Sequence, residues 1–246
     1  MPLIWGLTKG PQRSSAHLTF QIPSLCAETV ERGEARLGLV PVAEIARQGL
    51  EAIPDLGIAS HGAVRSILLV SRVPVRSIQT LAADLSSRTS VQLARIVLRE
   101  MYGVEPKIVR RPPSLLAMLR ECDSALVIGD AALRVDPYTL QGEVLDLGAE
   151  WYALTGLPMV FALWAGKPPL PIEEIAPVLR ASYEFGKKNI TDLVNREYES
   201  RGITRELANE YLTQYIHHEL GDLEKQGLQA FLSLAGPLKK ASVAAL

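Results

Sequence analysis

Residues 84–129, DLSSRTSVQLARIVLREMYGVEPKIVRRPPSLLAMLRECDSALVIG, decide the fold class. The first part has apolar residues at helical spacing and ends at Gly103, a residue type that is typical of a helix C-terminus. Short runs of aliphatic residues follow at 106–110 and 124–129, with a helical stretch at 114–120 between them. Helix, strand, helix and strand in this order indicate a compact crossover unit, and they predict a small parallel sheet.

The same alternation continues on both sides of this unit. Upstream, the apolar runs at 37–40 and 63–71 predict strands, with a helical pattern after the first of them. Downstream, residues 158–164 predict a further strand, and the pattern is helical from Ile172 to the end of the chain. The sequence therefore predicts two α/β lobes with a helical C-terminal segment.

Composition excludes several classes of protein. The chain has 246 residues, of which 48% are apolar and 22% charged, enough for one large domain or for two lobes. Its 26 basic and 27 acidic residues give a net charge of −1, so we expect no nucleic-acid or membrane partner. Cys26 and Cys122 are too few for a disulfide scaffold or a zinc site, and we expect both to be buried as small apolar residues.

The chain lacks the sequence pattern of a secretory signal or of a membrane-spanning helix. Its opening, MPLIWGLTKG, has no basic stretch followed by an apolar core and a cleavage site. The longest apolar stretch, at 157–165, is far shorter than the roughly 20 residues that cross a bilayer. We therefore expect a soluble, cytoplasmic protein.

The polar residues before the helix in 84–103 are the strongest candidates for ligand binding. They are Ser86, Ser87, Arg88, Thr89 and Ser90. Free backbone N–H groups and the positive end of the helix dipole attract an anion at such a position, and hydroxyl groups add hydrogen-bond donors. A small carboxylate or phosphate would fit there. The alternative is simple N-capping, which needs only one of these hydroxyls.

Two further candidate positions lie at the ends of predicted strands. Ser60, His61 and Gly62 precede the strand at 63–71, where glycine allows a ligand to approach the backbone. The alternative at this position is a plain turn. Gly129-Asp130 ends a buried run, a place where open α/β sheets bind ligands, although it also suits a helix cap. Serine-hydrolase, P-loop and dinucleotide-binding motifs are absent from the sequence.

The histidines offer little material for a metal centre. The chain has four of them, and the adjacent His217 and His218 point to different faces of a helix and do not chelate together. We place this pair on a late, solvent-facing helix, whose apolar stripe consists of Leu207, Tyr211, Leu212, Tyr215 and Ile216. Hydroxyls and backbone donors with few titratable groups suit a small anionic organic molecule in a cleft between lobes, without metal or cofactor.

Five stretches along the chain carry a resemblance to a known family. They are LGLVPVAEIAR (37–47), SHGAVRSILLVS (60–71), SSRTSVQLARIVL (86–98), DSALVIGDAAL (123–133) and DLGAEWYALTGLPMVFALWA (146–165), with IHHELGDLEKQGLQAF (216–231) fitting more loosely. The chain resembles the chorismate dehydratases of menaquinone biosynthesis by the futalosine route over nearly its whole length. The most specific part is DLG…W…TGLPMVFALW.

The resemblance implies a two-lobed fold of the type II periplasmic-binding-protein kind, with the ligand cleft between the lobes and a helical C-terminal segment. We assign residues 1–73 and 166–246 to the first lobe and 74–165 to the second. The chain would pass between the lobes near the strands at 63–71 and 158–164. We expect the residues at 72–76 and 165–170 to absorb a closing motion.

The activity that the resemblance implies is dehydration of chorismate to 3-[(1-carboxyvinyl)oxy]benzoate by a carbon–oxygen lyase without a cofactor. The ring loses the proton at C3 and the hydroxyl at C4, and it becomes aromatic. We expect the enolpyruvyl carboxylate of the substrate to take the proton, since no protein base emerges from the sequence. The implied substrate-binding residues fall into three groups: Ser87, Arg88, Thr89 and Ser90 at the helix start, where Thr89 and Ser90 would hold a carboxylate; Ser60, Gly62 and Ser66 along the cleft; and Gly129 with Asp130 on the second lobe.

Two departures from the family pattern leave other functions open. Family members begin with a strand that ends in a Tyr-Leu-Asn-type segment before the counterpart of Pro2-Leu3, so that strand and its cleft asparagine are expected to be missing here. Pro41 is followed by Val42, where the family commonly has serine. A solute-binding protein for a small carboxylate and a ligand sensor without catalysis are therefore alternatives with the same fold. An export signal would favour the first, and binding without turnover would favour the second.

Overall fold

The computed structural model describes residues 1–84, 88–136 and 139–236. Ser87, one of the predicted ligand-binding residues, lies outside these ranges. Within them the strands are β1 (Gly38–Pro41), β2 (Glu51–Ser60), β3 (Ile67–Ser71), β4 (Thr80–Ala83), β5 (Lys107–Arg110), β6 (Ser124–Ile128), β7 (Glu143–Asp146), β8 (Met159–Gly166) and β9 (His217–Glu219). They form two sheets, with the orders β1-β8-β2-β9 and β5-β4-β6-β3-β7. Each sheet is the centre of one lobe, and the predicted two-lobed α/β fold is confirmed.

Helices pack on both sheets. They are α1 (Trp5–Lys9), α2 (Pro23–Arg32), α3 (Val42–Gln48), α4 (Arg88–Val97), α5 (Leu115–Glu121), α6 (Asp130–Leu133), α7 (Leu147–Thr155), α8 (Ile172–Lys188), α9 (Ile190–Glu197), α10 (Arg205–Glu210) and α11 (Asp222–Ala235). Two of them continue as π-helical turns, α4 over Leu98–Tyr102 and α10 over Tyr211–Tyr215. Gly103 ends the first of these turns with a φ of 70°, as its sequence position predicts.

The five-stranded sheet contains the parallel unit that residues 84–129 predict. Strands β5, β4 and β6 run parallel to one another, and α4 and α5 make the crossovers between them. Strand β4 is not evident from the sequence, because its Thr-Leu-Ala-Ala composition has little strand propensity. Strands β3 and β7 extend the sheet in antiparallel orientation.

All neighbouring strands of the four-stranded sheet are antiparallel. Its edge strand β9 corrects a sequence prediction, because His217 and His218 lie on a strand and not on a solvent-facing helix. His217 lies opposite Ala59 in the register of β2, and His218 is only 5% exposed. A strand of three residues is too short to show the alternation of apolar and polar residues that predicts a strand, and the sequence on both sides of it has a helical pattern.

The chain crosses from one sheet to the other at two places. The loop at 61–66 joins β2 to β3, and the segment at 147–158, which contains α7, joins β7 to β8. The segments at 72–76 and 165–170, which we expected to be hinges, adjoin strands without connecting the two sheets, so that prediction is wrong. The lobe limits at 73/74 and 165/166 stay a prediction, and sheet membership leads us to propose limits within the two crossings.

The core is shared between helices of both lobes. Trp151 of α7 is fully buried, and its ring meets Phe231 of α11 edge to face, with 6.1 Å between the ring centroids. Cys122 is buried, as predicted, whereas Cys26 is only partly buried and the prediction for it holds in part. Among the helices in the described ranges, none combines the length and the apolar composition that a membrane span needs.

Candidate active site

A cavity of about 900 Å³ lies between the two lobes. Strands β1, β2 and β8 supply one wall, and the loop at 61–66, α4 and the end of β6 supply another. The hydroxyl groups of its lining include those of Ser66, Thr89 and Ser90, and its aromatic residues include Phe161, Trp164 and Tyr211. An apolar cavity with a few hydroxyl groups is the ordinary form of a small-molecule site.

Thr89 and Ser90 lie at the start of α4, in the cavity wall where the sequence predicts an anion site. Both residues are buried, with exposures of 2% and 3%. The Thr89 hydroxyl oxygen accepts a hydrogen bond from the Ala43 backbone N–H at 3.2 Å, so the first turns of α3 and α4 meet at this point. The positive end of the α4 dipole favours a carboxylate here.

The Arg88 side chain pairs with Glu44 and does not point into the cavity. Its Nη1 lies 2.8 Å from both carboxylate oxygens of Glu44 on α3, and it does not line the cavity. Glu44 is 2% exposed and also accepts hydrogen bonds from Arg47 and Gln48. Arg88 therefore joins the two lobes beside the cavity, and its predicted contact with a ligand stays a prediction.

Ser60 and Gly62 shape the crossing next to the cavity. The Ser60 hydroxyl is fully buried and donates to the Gly62 carbonyl at 3.0 Å. Gly62 has a φ of 89°, a backbone conformation that residues with a side chain rarely adopt. Gly148 packs against both residues so closely that a Cβ atom there would lie 2.5 Å from the Gly62 carbonyl oxygen. Neither Ser60 nor Gly62 lines the cavity, whereas Ser66 of the same loop does.

Gly129 and Asp130 lie at the carboxyl end of β6, as predicted, but they face different spaces. Gly129 lines the cavity, has a φ of 60°, and has open space where a Cβ atom would point. Asp130 lines an adjoining cavity of about 720 Å³. Its carboxylate lies 3.0 Å from Nη1 of Arg201, in a second ion pair between the lobes.

Asp146 holds the two crossings together. One carboxylate oxygen accepts hydrogen bonds from the backbone N–H groups of Val64 at 2.9 Å, Gly148 at 2.9 Å and Ala149 at 3.1 Å. The other accepts from the N–H of Arg65 at 2.6 Å. Arg65 has a φ of 62°, a conformation that this carboxylate helps to stabilise. The side chain thus caps α7 and fixes the loop that carries Ser66.

His61 lies outside the cavity lining, in a cluster with Glu224 and His217. Its Nε2 is hydrogen-bonded to Glu224, and its ring meets that of His217 at 4.7 Å between centroids. Burial and the neighbouring His61 lower the pKa of His217. Although burial opposes it, hydrogen bonds from the backbone and from His61 hold the pKa of Glu224 below its ordinary value. In the described part of the chain, no group of His, Cys, Asp and Glu has a geometry suited to a metal ion.

Sequence reasoning missed two residues, one that lines the cavity and one that fixes a loop in its wall. Tyr211 lines both cavities and donates from its phenol to the Ser66 hydroxyl at 3.1 Å. From the sequence it is a member of an apolar stripe. Asp146 stands in the sequence only as the first residue of the DLG motif. A carboxylate directly before a helix is nevertheless a capping signal, and this signal could have identified it.

A model of the family described as menaquinone biosynthesis matches residues 1–237. The chain belongs to the menaquinone biosynthesis family. The chain is similar to a chorismate dehydratase from Thermus thermophilus, 29% identical over 206 residues that cover 77% of this chain and 75% of that protein. A chorismate dehydratase from Campylobacter jejuni is 26% identical over 193 residues, which cover 76% and 70% of the two chains.

The fold of this chain is similar to that of solved structures. Protein AF1704 from Archaeoglobus fulgidus has a TM-score of 0.75 at 19% identity, covering 95% of this chain and 91% of that one. The periplasmic aliphatic sulphonate binding protein SsuA from Escherichia coli has a TM-score of 0.62 at 15% identity, with coverages of 94% and 82%. The predicted periplasmic-binding-protein-like fold is thereby confirmed.

Proposed function

We propose that this protein is a chorismate dehydratase, a carbon–oxygen hydro-lyase that forms 3-[(1-carboxyvinyl)oxy]benzoate in the futalosine route. The observation that carries the proposal is the family match over residues 1–237. The similarity to relatives that are named chorismate dehydratases supports it. The cavity between the lobes agrees in chemistry, because it combines apolar walls for a ring with hydroxyls and a helix start for a carboxylate.

In this proposal the ring carboxylate of chorismate binds at the start of α4, where Thr89 and Ser90 lie. Loss of the C3 proton leaves negative charge that is delocalised onto this carboxylate through the ring double bonds. Donors fixed at that position stabilise the charge as it develops, and they lower the barrier.

The enolpyruvyl carboxylate of the substrate takes the C3 proton in this proposal. The C4–oxygen bond then breaks with its electron pair going to oxygen. The departing hydroxide and the transferred proton leave together as water, which regenerates the carboxylate and leaves an aromatic ring. The protein's part is to bind the substrate, to orient it and to exclude solvent.

Incubation with chorismate tests the proposal, with the aromatic product followed by chromatography. We expect product from the unaltered protein and a loss of kcat/KM of at least about tenfold in T89V, which removes one hydrogen bond to the charged ring carboxylate. T213V is the control, because Thr213 is exposed and its hydroxyl bonds only to the Asn209 carbonyl. Binding of chorismate without product would contradict the proposal and favour a solute-binding protein or a sensor.

A further inference from the structure

Helix α10 changes its winding at the residue that reaches the cavity. It is α-helical over Arg205–Glu210 and π-helical over Tyr211–Tyr215. Single π-helical turns are rare and occur frequently at functional sites, because the wider turn redirects side chains. The two tyrosines at the ends of this turn have different surroundings. Tyr211 lines the cavity between the lobes, whereas Tyr215 bonds to Glu210 of its own helix at 3.3 Å.

The Tyr211 phenol donates its hydrogen bond to the hydroxyl oxygen of Ser66, at 3.1 Å. This bond joins a helix of the first lobe to the loop that leads into the second. Burial raises the pKa of Tyr211, although the hydrogen bond to Ser66 opposes the change. The phenol therefore stays protonated over the working pH range, and its O–H is available to donate to Ser66.

The backbone of Ser66 is held on both sides. Its N–H donates to the Val64 carbonyl at 2.7 Å, and its carbonyl accepts from the Gly129 N–H at 2.8 Å. The Ser66 hydroxyl accepts from Tyr211, and no acceptor for its own proton is found among the described residues. Since Ser66 lines the cavity, its hydroxyl can donate its proton to a molecule that is bound there.

We propose that Tyr211 is a positioning residue that makes the Ser66 hydroxyl a donor to the departing hydroxyl of the substrate. The inference rests on the proposed dehydration and names residues for the step in which the carbon–oxygen bond breaks. By occupying the Ser66 oxygen, the phenol fixes the direction of the Ser66 proton. It also polarises that hydroxyl, since hydrogen bonds in a chain strengthen one another.

The chemistry of the step explains why a neutral donor pair suits it. The oxygen on C4 is neutral in the substrate and gains negative charge as its bond to carbon breaks. A fixed donor that strengthens its hydrogen bond as this charge develops stabilises the transition state more than the ground state. We therefore expect the effect of Tyr211 to appear in kcat rather than in substrate binding.

The test is a double-mutant cycle on chorismate turnover, with Y211F, S66A and the Y211F/S66A double variant. We expect Y211F to lower kcat about tenfold, because it removes one hydrogen bond. KM should change less than about twofold. S66A should lower kcat by at least as much. In the S66A background Y211F should cost nothing further, because the two residues act through one bond.

Y215F is the matched control, since it removes a phenol from the same π-helical turn outside the cavity lining. It should leave kcat and KM unchanged, and thermal unfolding of each variant should show a folded protein. Additive losses in the double variant, a loss confined to KM, or an equal loss in Y215F would overturn the inference. If the unaltered protein forms no product, the proposed function fails. If it forms product and Y211F matches it, only the role of Tyr211 fails.

Discussion

Glu44 is a buried charge at the contact between α3 and α4. Its carboxylate is 2% exposed and is paired with Arg88 and Arg47. Replacing this buried carboxylate by a neutral amide weakens the charge-assisted hydrogen bonds that it accepts from Arg88 and Arg47.

We therefore expect E44Q to lower the free energy of unfolding by about 1–3 kcal/mol. E31Q should change it by less than about 0.5 kcal/mol, because Glu31 meets the same Arg47 from the surface, with 47% of its side chain exposed. Denaturant unfolding of both variants measures the difference. Equal losses would contradict the importance of burial at Glu44.

His218 makes stability depend on pH. Its Nδ1 is hydrogen-bonded to the Gly57 carbonyl, and burial lowers its pKa from 6.5 to about 4. In the unfolded chain the ring takes up a proton near pH 6.5, but in the folded chain it does so only near pH 4. Stability therefore falls as pH decreases through this window.

Replacement by glutamine should remove this dependence. We expect the loss of unfolding free energy between pH 7 and pH 4.5 to be smaller in H218Q than in the unaltered protein, by up to about 3 kcal/mol. H17Q provides the control, because His17 is exposed. The same pH dependence in H218Q and the unaltered protein would show that another group is responsible.

At the scale of elements, Asp146 couples a helix start to a loop. It accepts four backbone hydrogen bonds, two from the first turn of α7 and two from Val64 and Arg65. We expect D146A to cost about 2–4 kcal/mol of unfolding free energy, more than an ordinary helix cap. T204A provides the comparison, since Thr204 caps only α10, through the Leu207 N–H, and should cost about 1 kcal/mol. Chemical denaturation would refute the coupling if both variants lost the same amount.

The elements also show how far the sequence alone leads. The parallel unit, the start of α4 and the glycine at 103 follow from local patterns, since periodicity, polar caps and left-handed glycines are properties of neighbouring residues. Strand β9 and the contact of Tyr211 with Ser66 do not. Ser66 and Tyr211 are 145 residues apart, and only the packing of the two lobes brings them together. Arg88 has a suitable position for ligand binding, but its guanidinium meets Glu44, a partner on another helix.

At the scale of the whole molecule, the ion pairs Glu44–Arg88 and Asp130–Arg201 between the lobes differ in burial. The Glu44 carboxylate is buried, whereas Asp130 and Arg201 have 40% and 44% of their side chains exposed. Exposed ion pairs contribute about 0–1 kcal/mol. We therefore expect the cleft to open on the side of Asp130 and Arg201, with the contact between α3 and α4 maintained.

Small-angle scattering measures this opening. We expect saturating chorismate to decrease the radius of gyration, and R201A without ligand to have a larger radius than the unaltered protein. K187A is the control, because Lys187 pairs with Glu219 within the first lobe. A radius that neither the ligand nor R201A changes would count against a moving cleft.

The carboxylate of Asp146 has a consequence for how such a protein can be divided. It touches the chain just before β3 and again just after β7, so the segment of five strands begins and ends at one point. Neighbouring ends of this kind are what allows one domain to be inserted into the chain of another. The second lobe thus has the connectivity of a domain inserted between β2 and β8, while its core stays continuous with that of the first lobe.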